Sequence, residues 1–205
     1  MIRLYLVTDR RLVPDLVAAV RAALSSLPPG VAAVQLREKD LPAAALLDLA
    51  SRLLPVCKAA SAPLLINDRV DVARAAGADG VHLPSRGLPV AQARALLGPN
   101  RLVGVSCHAP EEIAAAYSDG ADFALFGPVW DSPGKSGCGI LALKEAVRAS
   151  PLPVLAIGGV TAGTASRAIE AGAAGVACIR AVLGAADPGA AARDLYLATT
   201  AWIAS

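Results

Sequence analysis

Eight short apolar runs recur along this chain at fairly regular intervals: residues 2–8, 31–37, 63–67, 80–83, 102–106, 122–126, 153–157 and 175–179. Each is nearly continuous in aliphatic residues rather than alternating. That is the pattern of a strand buried on both faces of a parallel sheet. Between the runs lie Ala/Leu/Arg-rich stretches with helical periodicity. Leu41-Pro42 opens one, with the proline expected in the first turn. Pro110-Glu111-Glu112 opens another, with acids where the helix dipole favours them, and a third is expected over 69–76. A phrase repeats where helix gives way to strand: Gly77-Ala78-Asp79-Gly80-Val81, Gly120-Ala121-Asp122-Phe123-Ala124 and Gly172-Ala173-Ala174-Gly175-Val176. Its first glycine suits the left-handed residue that ends a helix. Eight β/α units in 205 residues predict an α/β fold, a single (β/α)8 TIM barrel forming one domain over 1–205. A doubly wound sheet would call for a glycine-rich loop after the first strand, where this chain has Thr8-Asp9-Arg10-Arg11.

Composition narrows the class further. Hydrophobic residues make up 55% of the chain and aromatics 3%, so the core is aliphatic and the chain is not disordered. A net charge of +2 implies no nucleic acid and no membrane surface as partner. No apolar run approaches the roughly 18 residues of a membrane span, and the charged start does not read as a signal peptide. Cys57, Cys107, Cys138 and Cys178 form no C-x-x-C pair. They read as reduced thiols of a cytoplasmic protein, with Cys107 and Cys178 as small core residues. Of 19 basic residues only four are lysine: Lys39, Lys58, Lys135 and Lys144.

In a barrel, chemistry gathers where strands end. Polar residues cluster there: Thr8-Asp9-Arg10, Gln35 through Asp40, Asn67-Asp68-Arg69, His82, Ser106-Cys107-His108, the stretch from Gly127 to Lys135, Gly158-Gly159, and Arg180. Arg37, Lys39 and Lys135 suit either an anionic oxygen cluster or a solvated surface. Asp68 suits Mg²⁺ completed by phosphate oxygens, or the cap of the helix that follows. Gly158 and Gly159 suit a phosphate approached by backbone N–H groups, or a tight turn. His82 and His108 suit acid–base chemistry or packing at the barrel top.

Seven of these stretches carry a resemblance: Tyr5-Leu6-Val7-Thr8-Asp9, Val34 to Asp40, Leu65 to Asp71, Gly80 to Leu83, Gly104 to His108, Phe126 to Trp130, and Ala156 to Val160. In this order at strand ends, they resemble the thiamine phosphate synthases and the related thiazole tautomerases over essentially the whole chain. The resemblance implies an enzyme of thiamine biosynthesis acting on small phosphorylated pyrimidine and thiazole substrates, compatible with a homo-oligomer. A synthase of this kind joins hydroxymethylpyrimidine diphosphate to thiazole phosphate and releases pyrophosphate through a pyrimidine cation. By motif position, Gln35 contacts the pyrimidine. Arg37, Lys39, Asn67, Ser106 and Lys135 hold the pyrophosphate, Asp68 holds Mg²⁺, and Gly158 and Gly159 face the thiazole phosphate. Ser132 is expected on substrate, and Arg180 stands where the family has a small polar residue.

Two patterns depart from the synthases. Their Gly-Gln-x-Asp is Pro84-Ser85-Arg86-Gly87 here, without the second metal carboxylate. Their Thr-x-Thr-Lys is Ser132-Pro133-Gly134-Lys135. Leu83-Pro84-Ser85 looks more like the tautomerases, whose characteristic histidine is however Pro128 here. A tautomerase would therefore have to use His108 or another group as acid–base residue. A third reading is a non-catalytic binder of thiamine-pathway phosphates.

Overall fold

The computed structural model describes residues 1–200. Residues 201–205, the last five of the expected domain, lie outside the described residues. Eight parallel strands close into a barrel in sequence order, β1 pairing with both β2 and β8. They are β1 Leu4–Val7, β2 Ala32–Leu36, β3 Leu64–Asn67, β4 Gly80–Leu83, β5 Leu102–Cys107, β6 Phe123–Phe126, β7 Val154–Ala156 and β8 Gly175–Cys178. Every expected run contains or overlaps its strand. The doubly wound alternative fails because an open sheet has edges and this one has none.

Helices alternate with the strands: α1 Leu16–Ser25, α2 Ala43–Ala59, α3 Val70–Ala76, α4 Val90–Leu97, α5 Pro110–Ser118, α6 Gly139–Ala149, α7 Ala162–Glu170, the short α8 Arg180–Leu183, and α9 Pro188–Thr200. Among the described residues, none is long and apolar enough to cross a membrane. The repeated glycines behave as their phrase requires. Gly77, Gly120 and Gly172 all have positive φ, at 68°, 92° and 96°, just past α3, α5 and α7. Two helix starts differ from expectation. Pro42 caps α2 from outside, with extended backbone, rather than sitting in its first turn. The third helix starts at Val70, and neither Asn67 nor Asp68 caps it. The reason is local: Asp68 is left-handed, at φ 64°, so the chain turns sharply before the helix begins.

The core has two layers. The larger packs the outward strand faces against the helices, through residues such as Leu36, Leu53, Ile66 and Val176. The smaller fills the barrel interior with Tyr5, Val7, Ala33, Leu65, Phe123, Leu125, Leu155 and Ala177. Cys57, Cys107 and Cys178 are buried and unpaired, and burial pushes each thiol up to about 12. Cys138 is unpaired and exposed.

The two ends of the barrel differ. At the end where strands begin, arginines close the structure. Arg94 donates to the carbonyls of Gly98, Arg101 and Gly120 and to the Asp122 carboxylate. Arg101 donates to the carbonyls of Gly77 and Ala78, and Arg3 to that of Ala174. The other end is left for chemistry.

Candidate active site

The strand ends bring a polar chain into the mouth of the barrel. Inward-facing Gln35 donates from Nε2 to Tyr5 Oη at 3.4 Å. Tyr5 Oη lies 3.4 Å from His82 Nδ1, and His82 Nε2 lies 3.0 Å from Ser106 Oγ. Tyr5, His82 and Phe123 pack ring against ring, with centroids 5.4–6.0 Å apart. Gly104 makes the room: a Cβ there would stand 2.3 Å from Phe123 Cζ and 2.7 Å from His82 Nδ1. His82 is 1% exposed. Burial, with the nearby Arg37 guanidinium adding to it, lowers its pKa to about 3 and keeps the ring neutral.

Several expected residues therefore converge on His82. Ser106 is bonded to it, Gln35 reaches it through Tyr5, Asn67 is its register partner across β3 and β4, and Arg37 lies within electrostatic reach. Next to this set, the loop after β2 is tied to the end of β1. The Glu38 carboxylate accepts from Thr8 Oγ1 at 2.7 Å and from Arg10 N and Nη1 at 3.0 and 3.2 Å. Arg10 also forks onto Asp40, at 2.7 and 2.8 Å, and holds that carboxyl down at about 2. Thr8 Oγ1 in turn accepts the Arg37 N–H at 2.9 Å. The loop carrying Arg37 and Lys39 is thus pinned at both ends of Glu38.

Charge pairing sorts the cations of this face. Arg10, Arg11 and Arg69 are neutralised by Glu38 and Asp40, by Asp9, and by Asp71. Arg37, Lys39, Lys135 and Arg180 have no carboxylate partner among the described residues. Arg180 opens the short α8 and lies close enough to Asp9 to help hold that carboxyl below the usual range, after the dominant effect of Arg11. Lys135 ends a tight turn. Ser132 and Lys135 exchange backbone bonds of 3.0 and 2.8 Å, with Pro133 leading and Gly134 at φ 76°. Proline then positive-φ glycine is the chemistry of a type II turn. The second hydroxyl of Thr-x-Thr-Lys is absent because glycine occupies the left-handed position.

Gly158 and Gly159 have φ 92° and 63°. Built Cβ atoms would strike Pro128 Cβ at 2.4 Å and Trp130 Cβ at 2.6 Å. Both glycines are needed for this backbone, which packs against the loop bearing Ser132 and Lys135 and leads into the N-terminus of α7. His108 stands apart from the polar chain: it is exposed, with Nδ1 turned onto the Gly127 carbonyl and its backbone N–H bonded to Glu112.

Asp68 has an exposed carboxylate with no hydrogen bond or ion pair among the described residues. It faces Gly87, where a Cβ would stand 2.8 Å from Asp68 Oδ1. No group of three or more His, Cys, Asp or Glu among the described residues could form a metal cage. A single free carboxylate fits Mg²⁺ in one mode, shared with phosphate oxygens and water.

Tyr5 and His82 are the members of this site that strand-end position alone did not bring out as a pair. The signal was present, in that both side chains fall on inward positions of their strands.

The fold and site define a barrel whose catalytic end gathers unpaired cations and polar donors, as an enzyme for phosphorylated substrates requires. The family model for thiamine monophosphate synthase matches residues 4–182, and the chain belongs to that family. It is 45% identical over 197 residues to a thiamine-phosphate synthase of Roseiflexus castenholzii, covering 93% of this chain and 85% of that one. It is 42% identical over 196 residues to a thiamine-phosphate synthase of Methanoculleus marisnigri, covering 94% and 92%. Among solved structures it matches a thiamine phosphate pyrophosphorylase from Pyrococcus furiosus with TM-score 0.89 and 34% identity, covering 98% and 96%.

Proposed function

We propose that this protein is a transferase joining hydroxymethylpyrimidine diphosphate to thiazole phosphate, with release of pyrophosphate. The observation that carries the reading is the sorting of charge. Arg37, Lys39 and Lys135, the cations expected on pyrophosphate, stand at strand ends without a carboxylate partner among the described residues, and Arg37 lies within electrostatic reach of His82, which is bonded to Ser106 and in register with Asn67. Gln35 orients the pyrimidine from the barrel interior. Arg37, Lys39 and Lys135 take up the negative charge that grows on the diphosphate as its bond to the pyrimidine carbon breaks. Asn67 and Ser106 fix its oxygens. The Gly158-Gly159 backbone and the start of α7 hold the thiazole phosphate, so that the thiazole nitrogen meets the pyrimidine cation within contact distance. Arg180 adds charge on that side. Asp68 would hold Mg²⁺, which when bound neutralises diphosphate oxygens. No protein nucleophile is used, and the exposed His108 is not part of this scheme.

Incubation of the purified protein with both substrates and Mg²⁺ should yield thiamine phosphate and pyrophosphate in equal amounts. Absence of product where a control synthase turns over would remove the reading.

A further inference from the structure

Resting on the pyrophosphate role given above to Ser106, we propose that Tyr5 and His82 form a relay that leaves the Ser106 hydroxyl as an obligatory hydrogen-bond donor toward the bound anion. The argument follows the protons. Gln35 Nε2 donates to Tyr5 Oη, filling a lone pair of the phenol. The single phenolic proton is then directed at its other neighbour, His82 Nδ1. A neutral imidazole accepts at one nitrogen and donates at the other. With Nδ1 accepting, Nε2 carries the proton and donates to Ser106 Oγ at 3.0 Å. Ser106 already accepts, so its own O–H turns outward to the barrel mouth, where the diphosphate is expected.

The relay is insulated from competing partners. Tyr5, His82 and Gln35 are 0%, 1% and 2% exposed, so water does not offer the ring an alternative. Phe123 packs against both rings and the bare Cα of Gly104 leaves the imidazole its place. Among the described residues, the ring makes polar contact with Tyr5 and Ser106 alone. A donor fixed before the substrate arrives need not reorganise when charge develops on the leaving group. Tyr5 and His82 are accordingly positioning residues that act through Ser106.

Two measurements test this. Long-range ¹H–¹⁵N NMR on the labelled full chain near neutral pH should show His82 with Nε2 protonated and Nδ1 bare, a His108→Gln sample assigning the signals. The opposite tautomer, or a cationic ring, overturns the proposal. Calorimetric titration with inorganic pyrophosphate and Mg²⁺ gives the second. His82→Leu should weaken binding about 10-fold, the scale of one hydrogen bond to a charged group. His82→Gln, whose amide N–H stands near the place of Nε2–H, should recover most of that loss. His82→Leu added to Ser106→Ala should cost nothing more, because the relay acts only through that hydroxyl. Independent, multiplying losses from the two substitutions would overturn the proposal. Affinity for thiazole phosphate should stay within about twofold in His82→Leu, which separates positioning of one subsite from general damage to the fold. Should His82→Leu not fold, the tautomer of the wild type still decides. Thiamine phosphate formation by the wild type is scored apart. If it fails while the pyrophosphate and NMR results hold, the synthase reading falls and the relay stands.

Discussion

At the scale of single residues, the informative property of a cation here is whether a carboxylate already neutralises it. Arg10 and Arg69 were indistinguishable in sequence from Arg37, since all three sit at strand ends. Their pairing with Asp40 and Asp71 separates them. No lysine has a carboxylate partner among the described residues, and of the four in a chain that otherwise uses arginine, Lys39 and Lys135 are the two that stand at strand ends. An ammonium and a guanidinium present different donor geometry at equal charge. Lys39→Arg or Lys135→Arg should therefore lower kcat/KM by about 10-fold or more while leaving the thermal midpoint unmoved. Unchanged kinetics in both would reduce these lysines to surface charge. Asp68 sharpens a second point. With Gly87 opposite it, this chain offers a single carboxylate there. Asp68→Asn should accordingly abolish the Mg²⁺ enhancement of pyrophosphate binding, read by calorimetry with and without the metal. Retained enhancement would place the metal elsewhere.

At the scale of elements, the β1 end and the β2 loop behave as one part. Thr8, Arg10, Glu38 and Asp40 exchange five hydrogen bonds of 2.7–3.2 Å, and these fix the loop that carries Arg37 and Lys39. Glu38→Gln keeps the shape and the hydrogen bond from Thr8 but gives up the charge facing Arg10. It should raise KM for the diphosphate substrate several-fold, with a smaller change in kcat. Equal losses in KM and kcat would mean that the loop does more than position charge. The outer Arg10–Asp40 pair contributes differently with pH. Because Asp40 is held at about 2 in the folded protein, below its unfolded value, the pair is present above about pH 4 and lost only as acid approaches pH 2. The strands and the glycine-ended helices were legible in the sequence because they depend on local periodicity and on backbone conformations that favour glycine. The Glu38 clamp was not, because its partners are about thirty residues apart and the motif reading assigned them no common task.

At the scale of the whole molecule, the barrel divides its labour between its ends. Where strands begin, Arg94 satisfies three carbonyls and a carboxylate at once. A lysine has no planar fork to reach them. Arg94→Lys should cost about 1–3 kcal/mol of stability and leave turnover unchanged, the inverse of the lysine substitutions at the other end. The interior joins the two ends, and there a sequence alone could not show that residues 5, 35, 82 and 106 share one chain of hydrogen bonds. That chain has a consequence for the stability of the entire fold. His82 is neutral when folded, with its pKa lowered to about 3, whereas in the unfolded chain a histidine takes up a proton near pH 6.5. Between these values the unfolded state binds the extra proton. Stability is therefore full above about pH 6.5 and declines as the pH falls toward 3, by up to about 1.4 kcal/mol per pH unit from this group. Carboxylates begin to titrate below about pH 5, so the window from 6.5 to 5 isolates the histidine. Denaturant unfolding of the wild type should weaken across that window, and His82→Gln, which has nothing to protonate, should lose distinctly less. Parallel curves for the two proteins would mean that the ring is not held neutral by the interior of the barrel.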